Sequence, residues 1–202
     1  MSDIPFVAPV TPTLAPQIVN LPSDINRQLQ ELWQGSFTER NRARVAQEEA
    51  ATLVRDRRTH KLSLINKHGG TSGSSDPDRN NLAGKECVGT IHTHPYTSGA
   101  RASFDAADAS EFAQSRDLVK IVQSGHMQFM YMRTGQTKNF RSPDIMKALD
   151  DARPKLVKLG IVGGLDPFLK STQVEAREIA KLLGIAYYEG ENGNLRRIVP
   201  RS

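Results

Sequence analysis

A short stretch near the middle of the chain constrains the fold most, because it joins an apolar run to two histidines and a proline. It reads CVGTIHTHP, from Cys87 to Pro95. Alternation along a strand places His92 and His94 on the same face, and the proline ends the strand at the edge of a sheet. The following stretch DAADASEFAQSR, which begins at Asp105, has the pattern of a helix. The sequence therefore predicts a strand, a loop and a helix that meet at one site.

The other elements mix helices and strands without a regular βαβ alternation. SDINRQLQELWQG predicts a helix with Ser23 or Asp24 as its cap, and TERNRARVAQ predicts a charged helical continuation. HGGTSGSSDPDRNN reads as a long loop, Ser142 should start a helix, and TQVEAREIAKLLG a further one. Three hairpins are expected, in EEAATLVRDRRTHKLSLINK, in LVKIVQSGHMQFMYMRT and around ENGN near the C-terminus. This order predicts an α+β or α/β sandwich around a mixed sheet.

The 202 residues are enough for one domain with a core and short additions. Residues 1–22 contain five prolines and few charges, so we expect an extended tail that packs no core. Residues 23–145 form the predicted main domain, and residues 146–202 a helix and hairpin extension packed on it. The chain has no apolar run that could span a membrane and no signal-peptide pattern, which makes cytoplasmic residence the default expectation. One cysteine excludes an intramolecular disulfide and a Cys-rich structural zinc site.

Charge gives little indication of a nucleic-acid partner. The net charge is +5, but the basic residues are spread along the chain and no aromatic residues are interleaved with them. We therefore expect solvated helix and turn faces rather than a nucleic-acid interface.

Two histidines on one strand face can bind one metal ion, but catalytic zinc takes three protein ligands and keeps a position for water. Asp105 and Asp108 are the candidates for the third ligand. Asp105 is a good helix cap preceded by the apolar Phe104, which would place Asp108 in the first helical turn. We favour Asp108 as the ligand and keep Asp105 as the alternative.

A zinc-bound water also needs a base, which should be a carboxylate near the metal but not bound to it. Glu48 and Glu49 open a predicted strand and alternate between its two faces. Glu49 lies in line with the apolar Ala51 and Leu53, which is unusual for a charged residue. A catalytic role would explain this position, so we favour Glu49 as the base.

These motifs together resemble the JAMM (MPN+, Mov34/JAB-like) zinc metalloproteases, whose pattern is an upstream Glu, then H-x-H-P, then S-x-x-D. The resemblance covers about residues 45–135. It implies a mixed, curved sheet flanked by helices, of the cytidine-deaminase-like type, and Zn²⁺ held by His92, His94 and an aspartate. It further implies Glu49 as the general base, and hydrolysis of peptide or isopeptide bonds in protein substrates, often at ubiquitin-like modifiers.

The chain departs from this pattern at the serine that supports the oxyanion. The expected spacing gives ASFD, in which Ala102 stands at the serine position and Asp105 at the ligand position. A shift of three residues gives DAAD, with Asp108 as the ligand. Ser103 lies between the two and is the candidate for the oxyanion role. Because this position is altered, the alternative function is a catalytically weak or inactive protein-interaction module of the same fold.

Overall fold

In the computed structural model the described residues are 4–40, 43–70, 82–96, 101–141, 143–147 and 167–199. Three long helices are α1 (Ser23–Gly35), α2 (Ala106–Gln114) and α3 (Pro167–Leu183), and a short 3-10 helix spans Pro12–Leu14. The strands, in chain order, are β1 (Ile18–Asn20), β2 (Phe37–Arg40), β3 (Ala43–Ala46), β4 (Glu49–Asp56), β5 (Leu62–Gly69), β6 (Lys85–Thr93), β7 (Val119–Ser124), β8 (Met127–Met132), β9 (Ala186–Glu191) and β10 (Asn194–Ile198).

Eight of these strands form one sheet in the order β1-β10-β9-β8-β7-β6-β4-β5. Neighbouring strands are antiparallel except for β6 and β7, which are parallel. The predicted α+β class, with a mixed sheet flanked by helices, is confirmed. The three predicted hairpins are β4–β5, β7–β8 and β9–β10.

Helices cover both faces of the sheet. One face packs on α1 through an apolar cluster that includes Ile25, Leu29, Leu53, Ile91 and Ile121. The other face packs on α2 and α3 through a second cluster, which includes Phe104, Phe112, Val122, Tyr131, Ile179 and Tyr187. Because side chains alternate along a strand, odd-numbered residues of β7 and of β6 after the bulge at Val88 face α1, and even-numbered residues there face α2. This assignment decides which residues can meet the two histidines.

The prediction for α1 is confirmed in part, and the prediction for the residues that follow it is wrong. The helix and its buried residues Ile25, Leu29 and Leu32 are as predicted, but the N-cap residue is Pro22 and no side chain caps the helix. The predicted helical continuation over residues 38–47 is wrong, because β2 and β3 pair there as a separate antiparallel hairpin. The helix has already ended at Gly35, and the hydroxyl of the next residue, Ser36, is 2.7 Å from the hydroxyl of Thr93 on β6. This contact links the end of the helix to β6.

Both ends of the described chain join the sheet. The expectation that residues 1–22 pack no core is wrong, since β1 pairs with β10 and four apolar side chains of this segment are buried: Ile4, Ala15, Val19 and Leu21. The C-terminal hairpin pairs with β8 and so continues the main sheet. Its turn has positive φ at Asn192 and Gly193, which is the geometry of a two-residue type I′ turn.

Some predictions fall outside the described residues. Most of the predicted loop over residues 68–81 lies there, as do Ser142 and the chain from 148 to 166, while residues 143–147 are helical. Among the described residues, no helix is both long and apolar enough to cross a membrane.

Close packing of β6 against β7 depends on Gly89. A Cβ atom at this position would lie 1.9 Å from the backbone oxygen of Val119, so no other residue fits without moving a strand. The parallel register that follows pairs Ile91 with Ile121 and His92 with Val122. Gly89 therefore helps to fix the strand that carries the histidines.

Candidate metal centre

The two histidines and Asp108 meet at the end of β6, beside the start of α2. His92 is the penultimate residue of β6. It pairs with Ala50 of β4 and with Val122 of β7. His94 follows the strand, and its backbone N–H donates to the backbone oxygen of Gln123 at 3.0 Å. Both histidines are buried, so the strand and its neighbours hold them firmly.

Potential ligand atoms of three residues converge at this point. The Nε2 atoms of His92 and His94 are 2.9 Å apart. Asp108 Oδ1 is 3.0 Å from His92 Nε2, and Asp108 Oδ2 is 3.3 Å from His94 Nε2. Among the described residues, this is the group of three or more His, Cys, Asp or Glu side chains whose geometry suits one metal ion.

The donor set fits a small divalent cation. Tetrahedral coordination with bonds of about 2.0–2.1 Å places neighbouring ligand atoms roughly 3.3–3.4 Å apart. The two contacts of the Asp108 carboxylate, 3.0 and 3.3 Å, are close to this separation, and the imidazole pair at 2.9 Å would open slightly. Two imidazoles and one carboxylate also leave a fourth position for water or substrate.

The orientation of His94 is fixed by a hydrogen bond on its far side. His94 Nδ1 is 3.0 Å from the backbone oxygen of Ser103, which can only accept. The proton of the neutral ring therefore sits on Nδ1, and Nε2 carries the lone pair that a metal requires. Such a partner beyond the ligand is the usual device for orienting a metal-binding histidine.

Asp105 is the helix cap and lies outside the cluster of ligand atoms. Its Oδ1 accepts a hydrogen bond of 2.8 Å from the backbone N–H of Asp108, while Asp108 Oδ2 accepts one of 3.3 Å from the backbone N–H of Asp105. This reciprocal capping box is the arrangement that the capping argument predicts. It turns the Asp108 carboxylate toward the histidines, in agreement with the favoured register.

Burial and neighbouring charges shift the pKa values of His92, His94 and Asp108 in different directions. Burial lowers the pKa of His92, which favours the neutral ring. Burial alone would also lower the pKa of His94, but the hydrogen bond and charge of Asp108 outweigh it and raise that pKa. Burial would raise the pKa of Asp108, yet the charges of His92 and Lys120 hold it well below its usual value. A metal ion at this site would therefore compete with a proton for His94.

The carboxylate that faces the site belongs to Glu48, and Glu49 faces the other side of the sheet. In the register of β4 and β6, Ala50 is opposite His92, so even-numbered residues here share the face of the histidines. The Glu49 carboxylate instead lies beside Gly69 and close to Gly35 of α1. This placement differs from the prediction of Glu49 as the base. Glu49 shares a strand face with the apolar Ala51 and Leu53, and that face of the sheet packs on α1.

Electrostatics agree with this geometry. Burial raises the pKa of Glu48 to about 7, and the charges that act on it include those of His94 and Asp108. Burial also raises the pKa of Glu49, but the charge that acts on it is that of His68, on β5. Only Glu48 of this pair is coupled to the candidate metal centre.

Glu48 gives the metal-free protein a pH-dependent stability. Its pKa is about 7 in the folded chain and 4.5 in the unfolded one, so folding disfavours its charged form and stability falls as pH rises from about 4.5 to about 7. In Glu48→Gln this loss is absent. Because the side chain is partly exposed, we expect the variant to gain about 1 kcal/mol over the wild type between pH 4.5 and 8. Urea unfolding in the presence of a chelator measures this gain, and a pH-independent difference would contradict it.

Ser103 does not present its hydroxyl to the candidate centre. The Ser103 side chain is buried, and its Oγ is 2.7 Å from the hydroxyl of Tyr187 on β9. Its backbone contributes instead, since its oxygen contacts His94 and its N–H donates to Thr172 Oγ1 at 3.0 Å. The predicted site residue is therefore close to the histidines, but it acts on them through its backbone.

Lys120 is a neighbour of the site that the sequence did not indicate. Its Nζ is 3.1 Å from Asp108 Oδ1, although its side chain is only 2% exposed. The sequence feature that could have indicated Lys120 is a single lysine within the apolar run LVKIV. A charged residue that faces the core requires a partner of opposite charge.

Comparison of the chain with protein families, with curated proteins and with solved structures finds no match. The assignment of a function to this chain therefore rests on the geometry of His92, His94 and Asp108 and on the residues around them.

Proposed function

We propose that the protein is a zinc-dependent hydrolase of peptide or isopeptide bonds, similar in its chemistry to the JAMM metalloproteases. The observation that carries the proposal is the convergence of His92, His94 and Asp108, whose potential ligand atoms all lie within 4.8 Å of one another. A second carboxylate, Glu48, lies on the same face of the sheet and is coupled to this cluster by charge. Three ligands and a separate base are the set that hydrolysis by a metal requires.

Bound zinc would supply Lewis acidity, which lowers the pKa of water to about 7 and polarises the carbonyl group of the substrate. His92, His94 and Asp108 would hold the ion through Nε2, Nε2 and a carboxylate oxygen. The backbone oxygen of Ser103 would keep His94 in the tautomer that binds. The ligands thus require no rearrangement of the strand or of the helix.

Glu48 is the proposed general base. It would accept a proton from the attacking water and return it to the leaving amine, and a base is most effective when its pKa is near the working pH. In the metal-free chain its pKa is raised to about 7, and the charge of a bound zinc ion would lower it, which keeps Glu48 ionised and able to accept a proton at neutral pH. The substrate class is a protein or peptide, and a ubiquitin-like modifier is the one suggested by the resemblance.

The proposal is tested by removing and restoring the metal. The probe is a pool of quenched fluorescent peptides that includes members linked through a lysine side chain. We expect cleavage by the zinc-loaded protein, loss of cleavage after chelation, and recovery with stoichiometric zinc. Cleavage that persists in chelator, or no cleavage by protein shown to contain zinc, would contradict the proposal.

A second function, a metal-binding interaction module without hydrolysis, is favoured by one contact. The Ser103 hydroxyl is engaged with Tyr187 and does not face the candidate centre. An oxyanion donor is thus missing at the expected place, and loss of one such donor costs about 10²–10³ in rate. Zinc-loaded protein that binds a partner but cleaves no member of the pool would support this function over the first.

A further inference from the structure

Lys120 is the buried cation closest to the candidate metal centre on the described part of the chain. It lies on β7 opposite Thr90 of β6, two residues before His92, and on the same face of the sheet. Its Nζ contacts three acceptors, which are Asp108 Oδ1 at 3.1 Å, the backbone oxygen of Asp108 at 3.5 Å, and Glu111 Oε2. An ammonium group has three N–H donors, so all of them have a partner.

The contacts of Lys120 explain how Asp108 is held. Asp108 and Glu111 are three residues apart and thus share one face of α2. Lys120 rises from the sheet beneath this face and bridges the two carboxylates. Asp105 holds the other oxygen of Asp108 through its backbone N–H. The carboxylate is therefore fixed from two sides before any metal binds.

We propose that Lys120 is a positioning residue that holds Asp108 in its ligating orientation, an inference that rests on the proposed metal centre. A cation so close to a metal ligand could also oppose the metal by repulsion. Glu111 forms an ion pair with Lys120, so the charge of the two together is about zero and the repulsion is largely cancelled. The remaining effect of Lys120 is to orient the Asp108 carboxylate toward the histidines. Because this orientation is the one that binds the ion, Lys120 favours metal binding.

The test is a Co²⁺ titration of the full chain after chelation, followed by visible absorption and by competition with a chelator. We expect Lys120→Met to bind Co²⁺ about 10–100-fold more weakly than the wild type, as for other residues that orient a ligand. Its Co²⁺ spectrum should shift from that of the wild type toward that of Asp108→Asn, because the carboxylate is no longer held in its ligating orientation. In the Asp108→Asn background, Lys120→Met should have no further effect, since its action passes through Asp108.

Two further variants make the result independent of folding problems at a buried lysine. Glu111→Gln changes a half-exposed residue and releases Lys120 from its counter-ion, so it should weaken Co²⁺ binding in the same direction. Lys181→Met removes an exposed lysine of α3 and should leave the affinity unchanged. Unchanged or tighter binding in Lys120→Met or Glu111→Gln would overturn the inference while the metal centre stands. A wild type that binds no Co²⁺ would overturn both.

Discussion

Glu48→Gln is expected to reduce hydrolysis by about 10²–10⁴-fold, the usual contribution of a general base, while zinc remains bound. The amide cannot accept the proton of the attacking water, but it preserves the shape of the side chain. The measurement is the initial rate of cleavage of the peptide pool by zinc-loaded protein, with the zinc content of each variant determined in parallel.

Glu49→Gln is the matched control, because it makes the same chemical change at the next residue, the first of β4. Glu49 faces α1, and the charge that acts on its carboxylate is that of His68. We therefore expect the cleavage rate of Glu49→Gln to stay close to that of the wild type. A large loss in Glu49→Gln with an unaffected Glu48→Gln would reverse the assignment of the base and contradict the register argument.

The prediction of the metal ligands followed from local rules. Alternation along one strand placed His92 and His94 together, and helix capping separated Asp105 from Asp108. Both rules involve neighbours in sequence, so the histidine pair and the capping box could be predicted without knowledge of the tertiary structure.

Which glutamate faces the candidate metal centre could not be predicted in the same way. Alternation correctly separated Glu48 from Glu49, but which of them faces the histidines depends on the pairing of Ala50 with His92, more than forty residues away. Apolar neighbours favoured Glu49, yet both faces of this sheet are covered by helices, so an apolar face does not identify the side of the site. The register of β4 against β6 therefore determines which glutamate faces the histidines.

The hairpin over residues 37–46 and the role of Lys120 were missed for similar reasons. TERNRARVAQ has many good helix formers, but helix propensity is a weak preference, and the pairing of Thr38 with Val45 overrides it. Lys120 has its partners in a helix that precedes it in the chain, and only the packing of α2 on the sheet brings them together.

Asp108→Ala is expected to abolish stable metal binding. The variant leaves two imidazoles, which no longer meet the requirement of three protein ligands, and it leaves Lys120 without its main partner. Asp105 can still cap α2, because it accepts from the backbone N–H of residue 108, so the helix should persist.

Asp105→Ala is the matched control and should keep the metal. It removes the cap of α2, which costs about 1 kcal/mol of stability, but it leaves the Asp108 carboxylate beside both histidines. A variant that is less stable yet fully metallated would separate the capping role from the ligand role.

The most direct test of the central claim is the metal content of the wild type and these two variants, measured by elemental mass spectrometry after purification in the presence of zinc and removal of the excess. We predict about one zinc ion per chain in the wild type and in Asp105→Ala, and none in Asp108→Ala. A wild type without zinc, or an Asp108→Ala variant that retains it, would contradict a metal centre formed by His92, His94 and Asp108.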